Sequence, residues 1–218
     1  PLASGAVSLK AAWVWLAVLC LLGLLVLLQL HVYAAIVALL SLAPVAAYPF
    51  MKRITWWPQI WLGLVFSWAA LVGWFEVTSA IQSWGVTTVG VLVFSVPGLL
   101  LYAGSICWVV GYDTIYALQD REDDALIGVR SSALRMGTRV RLGVGLFYLA
   151  LWAGAIWLLR PDWLALVALL PVAGHFAWQV ATLSPDDGAG ALHRFRSNRF
   201  AGLLMFLACV VVGTPWPY

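Results

Sequence analysis

Charge is scarce in this chain: only 10% of its 218 residues are Asp, Glu, Lys or Arg, against about 25% in an ordinary soluble domain. Cysteine is scarcer still. Cys20, Cys107 and Cys209 each lie inside an apolar run, with no second Cys or His at metal-ligand spacing. That excludes a disulfide framework and a zinc or other soft-metal centre, and leaves small core residues. Alternating ten-residue strand patterns are missing, which excludes a membrane β-barrel, and no internal repeat or low-complexity tract is present. The opening "PLASGAVSLKAAWVWLAV" has neither an initiator Met nor a basic segment before a short apolar core, so the first apolar run does not read as a signal peptide. The chain is expected to begin inside a longer protein.

What is abundant is apolar surface, 64% of residues, with a mean hydropathy of +0.97. An all-α, polytopic transmembrane bundle is the fold class this dictates, since a spanning helix needs about 20 apolar residues. Seven such stretches are readable, at 11–30, 33–50, 59–78, 88–112, 142–159, 163–183 and 200–214. The first two form a tight hairpin around Gln29 and His31. Pro97 and Pro171 fall inside spans and are expected to kink them. Glycines within the spans, Gly63 and Gly104 among them, suit close helix packing in lipid.

Seven spans sort the cations by side. Lys10, Lys52, Arg53, Arg121, Arg130, Arg135, Arg139, Arg141, Arg194, Arg196 and Arg199 share one face, and only Arg160 lies on the other. By the positive-inside rule the crowded face is cytoplasmic. The formal charge of +3 therefore reports topology and contact with membrane lipids, and gives no reason to invoke nucleic acid.

On that same face, "GYDTIYALQDREDDALIG" (111–128) gathers Asp113, Asp120, Glu122, Asp123 and Asp124, five of the nine acidic residues. If the fourth span continues as helix, Asp113, Asp120 and Asp124 fall at 0°, about −20° and about +20° around it. Three carboxylates on one stripe repel unless a cation sits among them. Oxygen-only donors suit a hard ion such as Mg²⁺, which takes one or two carboxylates and completes its shell with water or phosphate. The competing reading is a solvated loop whose acids pair with arginines.

This stretch resembles the second aspartate-rich motif of the UbiA-type membrane prenyltransferases, nearest to those that act on 4-hydroxybenzoate in ubiquinone biosynthesis. "PLASGAVS" (1–8), "YPFMKR" (48–53) and "FRSNRFAGLL" (195–204) resemble further family signatures in the same order. The resemblance implies nine helices, so two helices and a first motif, N-D-x-x-D-x-x-x-D, are expected to precede Pro1, and the 218 residues alone, a single transmembrane domain, are expected to be inactive. It implies transfer of a polyprenyl group from polyprenyl diphosphate to 4-hydroxybenzoate with Mg²⁺, in a bacterial inner membrane with the site facing the cytoplasm. Asp120 and Asp124 match its metal-binding positions, and Asp113 joins them through the stripe. Arg53 matches the position associated with the benzoate carboxylate, with Lys52 beside it; Arg130, Asn198, Arg196 and Arg199 are candidates for the diphosphate, though each cation could equally be a topology charge. Alternatives are another acceptor or haem within the same superfamily, or a cation transporter. A transporter needs ionisable groups at mid-span, where only His175 is found. His193 is expected in a loop, and the segment 76–90 has no assigned role.

Overall fold

The computed structural model describes residues 2, 4–82, 96–159 and 161–213; for residues 52, 80–82 and 159 it describes the backbone only. Eleven α-helices are described, with no strand among the described residues: α1 (Leu9–Leu27), α2 (Val32–Leu40), α3 (Leu42–Ile54), α4 (Pro58–Phe66), α5 (Trp68–Gln82), α6 (Val96–Tyr116), α7 (Arg121–Ile127), α8 (Ser132–Met136), α9 (Val140–Leu159), α10 (Trp163–Thr182) and α11 (Gly188–Gly213). They make seven stretches long and apolar enough to cross a membrane, so the all-α bundle and its span count are as the sequence predicts. Part of the fourth predicted span (88–95), most of the 76–90 segment, Pro1 and Arg160 lie outside the described residues.

Proline and serine explain how the second span comes to be made of paired helices, α2 and α3. Pro44 has no N–H to offer the carbonyl of Leu40, and its ring crowds that turn. The chain breaks at Ser41, whose hydroxyl donates to the Ala38 carbonyl at 2.6 Å. Pro97, by contrast, occupies the first turn of α6, where a missing N–H has no helical partner to lose. Pro171 lies inside an unbroken α10.

The last span differs most from expectation. α11 begins at Gly188 and runs 26 residues, so the polar run His193-Arg194-Phe195-Arg196-Ser197-Asn198-Arg199 is the first half of a helix and His193 is not in a loop. Hydropathy misses these turns because their side chains are polar, although nothing in them opposes helix formation. Four polar side chains of the last three spans bond to one another inside the bundle: Tyr148 donates to Gln179 Oε1 at 2.6 Å, and Gln179 Nε2 lies 3.0 Å from both His175 Nε2 and Ser197 Oγ.

α6 is the hub, packed against α4, α5, α9 and α11. The buried core joins Ile115 and Leu118 to Val140, Val144, Tyr148, Val172, Phe176 and Leu183. It therefore sits at the end of the bundle that carries the acidic segment. Elsewhere apolar side chains face outward, Trp13, Leu19 and Leu25 among them, as lipid in place of water allows. α1 has no buried residue at all.

Candidate active site at the charged end of the bundle

The acidic segment is built in two pieces. α6 stops at Tyr116, the chain turns through 117–120, and α7 starts at Arg121 with Asp120 as its N-cap residue. The turn is closed by the N–H groups of Leu118 and Gln119, which donate to the carbonyls of Ile115 (3.2 Å) and Tyr116 (3.1 Å). Its cause is burial: neighbouring Ala117 and Leu118 both enter the core, at 7% and 5% exposure, which a helix leaving the bundle in a straight line could not achieve. The single stripe through Asp113, Asp120 and Asp124 therefore does not exist.

A pair survives it. The Asp124 N–H donates to the Asp120 carbonyl at 2.8 Å, the first helical bond of α7, which puts the two side chains one turn apart with Cβ atoms about 5–6 Å from each other. The Asp120 side chain makes no capping bond and is exposed, whereas Asp124 is half-buried. Asp113, also half-buried, projects from the last turn of α6, within electrostatic reach of the Tyr48 phenol. Glu122 and Asp123 are exposed. Arg121 is turned away, 3.5 Å from Asp186. Among the described residues, no three acidic, His or Cys side chains converge closely enough to hold a metal unaided.

α7 ends on Gly128, in the left-handed region at φ 73°. The Val129 N–H returns to the Asp124 carbonyl at 2.9 Å, the closing bond of a Schellman cap. The chain is thereby sent back toward the turn between α3 and α4. There Arg130 donates from Nη1 to the Ile54 carbonyl at 2.8 Å and lies over the Trp56 ring, 5.5 Å from its centroid. Arg53, exposed on the last turn of α3, is thus brought to the same edge of the bundle as the acids. The Lys52 side chain lies outside the described residues.

Asn198 lies on α11 between Arg196 and Arg199 and shares a cavity wall with them. It is buried, accepts from the Trp108 indole at 2.9 Å, and gives its own amide to the carbonyls of Arg194 and Phe195, each at 3.2 Å. With Phe66, Ser67, Trp108, Tyr112, Arg196 and Arg199 it lines a cavity of about 580 Å³. Two guanidinium groups on a largely apolar and aromatic wall suit an amphiphile with an anionic head and a hydrocarbon tail. Nothing in the sequence singles out Tyr48, Trp108 and Tyr112, since an aromatic in a membrane chain carries no local mark of which face it serves.

Comparison with known proteins identifies the family of the chain. The profile described as the UbiA prenyltransferase family matches residues 1–212. The "4-hydroxybenzoate polyprenyltransferase, mitochondrial" of Aedes aegypti is 36% identical over 98% of this chain and 46% of its own length. The "4-hydroxybenzoate geranyltransferase 2" of Lithospermum erythrorhizon is 37% identical over 100% of this chain and 68% of its own. A solved apo structure of a UbiA homolog from Aeropyrum pernix K1 superposes with a TM-score of 0.74 at 25% identity, over 98% of this chain and 76% of that one. The chain spans about half the length of several of the curated relatives it matches.

Proposed function

Since the chain belongs to the UbiA prenyltransferase family, we propose that it forms the acceptor-binding and second aspartate-motif portion of an intramembrane transferase that moves a prenyl group from its diphosphate to 4-hydroxybenzoate. The observation that carries this reading is the Arg130–Ile54 hydrogen bond, which ties the segment that follows the Asp120/Asp124 pair to the turn that follows Arg53. The printed names of the curated relatives supply the acceptor.

The donor set fits Mg²⁺: oxygen ligands only, one turn apart, too few to cage an ion without phosphate oxygens completing the shell. When bound, Mg²⁺ neutralises the charge that builds on the diphosphate as the allylic C–O bond ionises. Asp120 and Asp124 would hold it, and Asp113 adds negative charge from the last turn of α6. Arg196 and Arg199 add positive charge at the cavity wall, and Arg130 keeps guanidinium donors beyond the one given to Ile54. Arg53 offers two parallel N–H groups to the benzoate carboxylate, a geometry Lys52 lacks. Trp108 and Tyr112 present aromatic faces, which attract an allylic cation and exclude water from it. A new C–C bond forms ortho to the hydroxyl, the ring proton leaves, and diphosphate is released.

The test uses the full-length protein in lipid with 4-hydroxybenzoate, a prenyl diphosphate and Mg²⁺. Mass spectrometry should find a prenylated 4-hydroxybenzoate that requires all three, and no such product refutes the reading. A geranyl in place of a longer donor is the second reading, favoured by the Lithospermum relative; product mass separates the two. The cations gathered on one end orient that end toward the cytoplasm. The bacterial inner membrane is the proposed compartment, against relatives named mitochondrial, and membrane fractionation checks it.

A further inference from the structure

Ser132 is a buried three-way junction. Its backbone N–H, on the first residue of α8 and so without a helical partner, donates to the side-chain Oε1 of Gln59 at 3.0 Å. Its hydroxyl lies 2.6 Å from the Thr114 hydroxyl. Gln59 is 3% exposed, and Thr114 and Ser132 are 0% exposed, so none of the three reaches a substrate. The strands of chain that meet here are the ones that carry the proposed site. Gln59 opens α4, just after Arg53 and its turn; Thr114 follows Asp113 on α6; Ser132 ends the segment that carries Asp120, Asp124 and Arg130. Packed helices alone leave a loop such as 117–131 free to shift by an ångström. A side-chain amide on a backbone N–H, at low dielectric and closed to water, does not.

We propose that Gln59 is a positioning residue for the transfer reaction: through Ser132 it fixes the spacing between the acceptor-binding turn at Arg53 and the carboxylate pair on α7. The inference rests on the proposed prenyl transfer for its kinetic consequence, though not for its geometry. An ångström of misplacement between reacting groups lowers rates by about 100-fold, so the junction acts on turnover without touching the substrates.

The experiment uses the full-length protein in nanodiscs and compares Gln59→Leu, which removes the acceptor, with Gln59→Glu, which keeps an oxygen there whether ionised or protonated. Val144→Ala, a fully buried core residue, serves as a packing control that lowers stability elsewhere. At matched amounts of folded enzyme, Gln59→Leu should lower kcat at least about tenfold, while Gln59→Glu and Val144→Ala stay within about threefold of the parent. A second arm needs no turnover. Spin labels on Ile54→Cys and Ile127→Cys, both exposed sites, in a background with the native cysteines replaced, should give a broadened distance distribution in Gln59→Leu and a narrow one in Gln59→Glu. An unbroadened distribution in Gln59→Leu overturns the junction itself. Broadening with kcat within threefold of the parent overturns its positioning role. A parent that transfers no prenyl group refutes the proposed function, and the distance arm still decides the junction.

Discussion

The Asp124 N–H donates to the Asp120 carbonyl at 2.8 Å, and this one bond sets two carboxylates a helical turn apart at the start of α7. Like charges at that spacing repel by a few tenths of a kcal/mol. The N-terminal end of the helix offsets some of this, since acids in a first turn gain about 0.3–1 kcal/mol each. Glu122 and Asp123 already supply that benefit. The added Asp120/Asp124 pair is what the proposed Mg²⁺ site would account for.

Arg53 gives the first prediction. If its fork holds the benzoate carboxylate, Arg53→Ala removes a charge-assisted pair worth about 1.5–3 kcal/mol. Steady-state kinetics should show KM for 4-hydroxybenzoate raised at least tenfold and KM for the prenyl diphosphate little changed. Equal effects on both would make Arg53 a topology charge only.

Gly128 gives the second. At φ 73°, with nothing within 4 Å of an added Cβ, Gly128→Ala suffers backbone strain alone, about 1–2 kcal/mol. The cap that closes α7 on Asp124 loosens, so more Mg²⁺ should be needed for half-maximal turnover. Gly128→Asn, which tolerates the left-handed region, should recover most of the loss. An alanine variant with the parent's Mg²⁺ dependence would detach the cap from the site.

The bundle itself is tested at Gly111. A Cβ there would lie 2.5 Å from Tyr148 Cε1. The ring cannot swing clear, because it stacks on Phe176 at 4.2 Å and its hydroxyl is held by Gln179. Gly111→Ala should therefore force α6 and α9 apart at a cost of about 1–3 kcal/mol, seen as a lowered Tm in detergent. Gly154→Ala, with open space around it, should leave Tm within about a degree.

The sequence reveals topology well because lipid imposes it: each span must be about 20 apolar residues, and cations must sort to one side. Both signals are local and additive. The break at 117–120 is invisible to the same reasoning, since Ala117 and Leu118 are good helix formers and only their joint burial bends the chain. Arithmetic at 100° per residue carried Asp113 onto a stripe that the turn removes, while Asp120 and Asp124 kept their relation because four residues of real helix separate them. Gln59 and Ser132 lie 73 residues apart, so no periodicity reports their pairing. A lone amide at the start of an apolar span was nonetheless a signal, for a polar group at that depth needs a partner.

If Asp120 and Asp124 hold Mg²⁺ for prenyl transfer, substitution of each by Asn in the full-length protein should abolish that transfer. Asn keeps the size and the helix but removes the charge a hard cation requires. Membrane insertion and Tm should be unchanged, while Mg²⁺-dependent formation of prenylated 4-hydroxybenzoate should fall by at least about 100-fold for either variant. Turnover within about twofold of the unsubstituted protein, with the parent's Mg²⁺ dependence, would contradict the account.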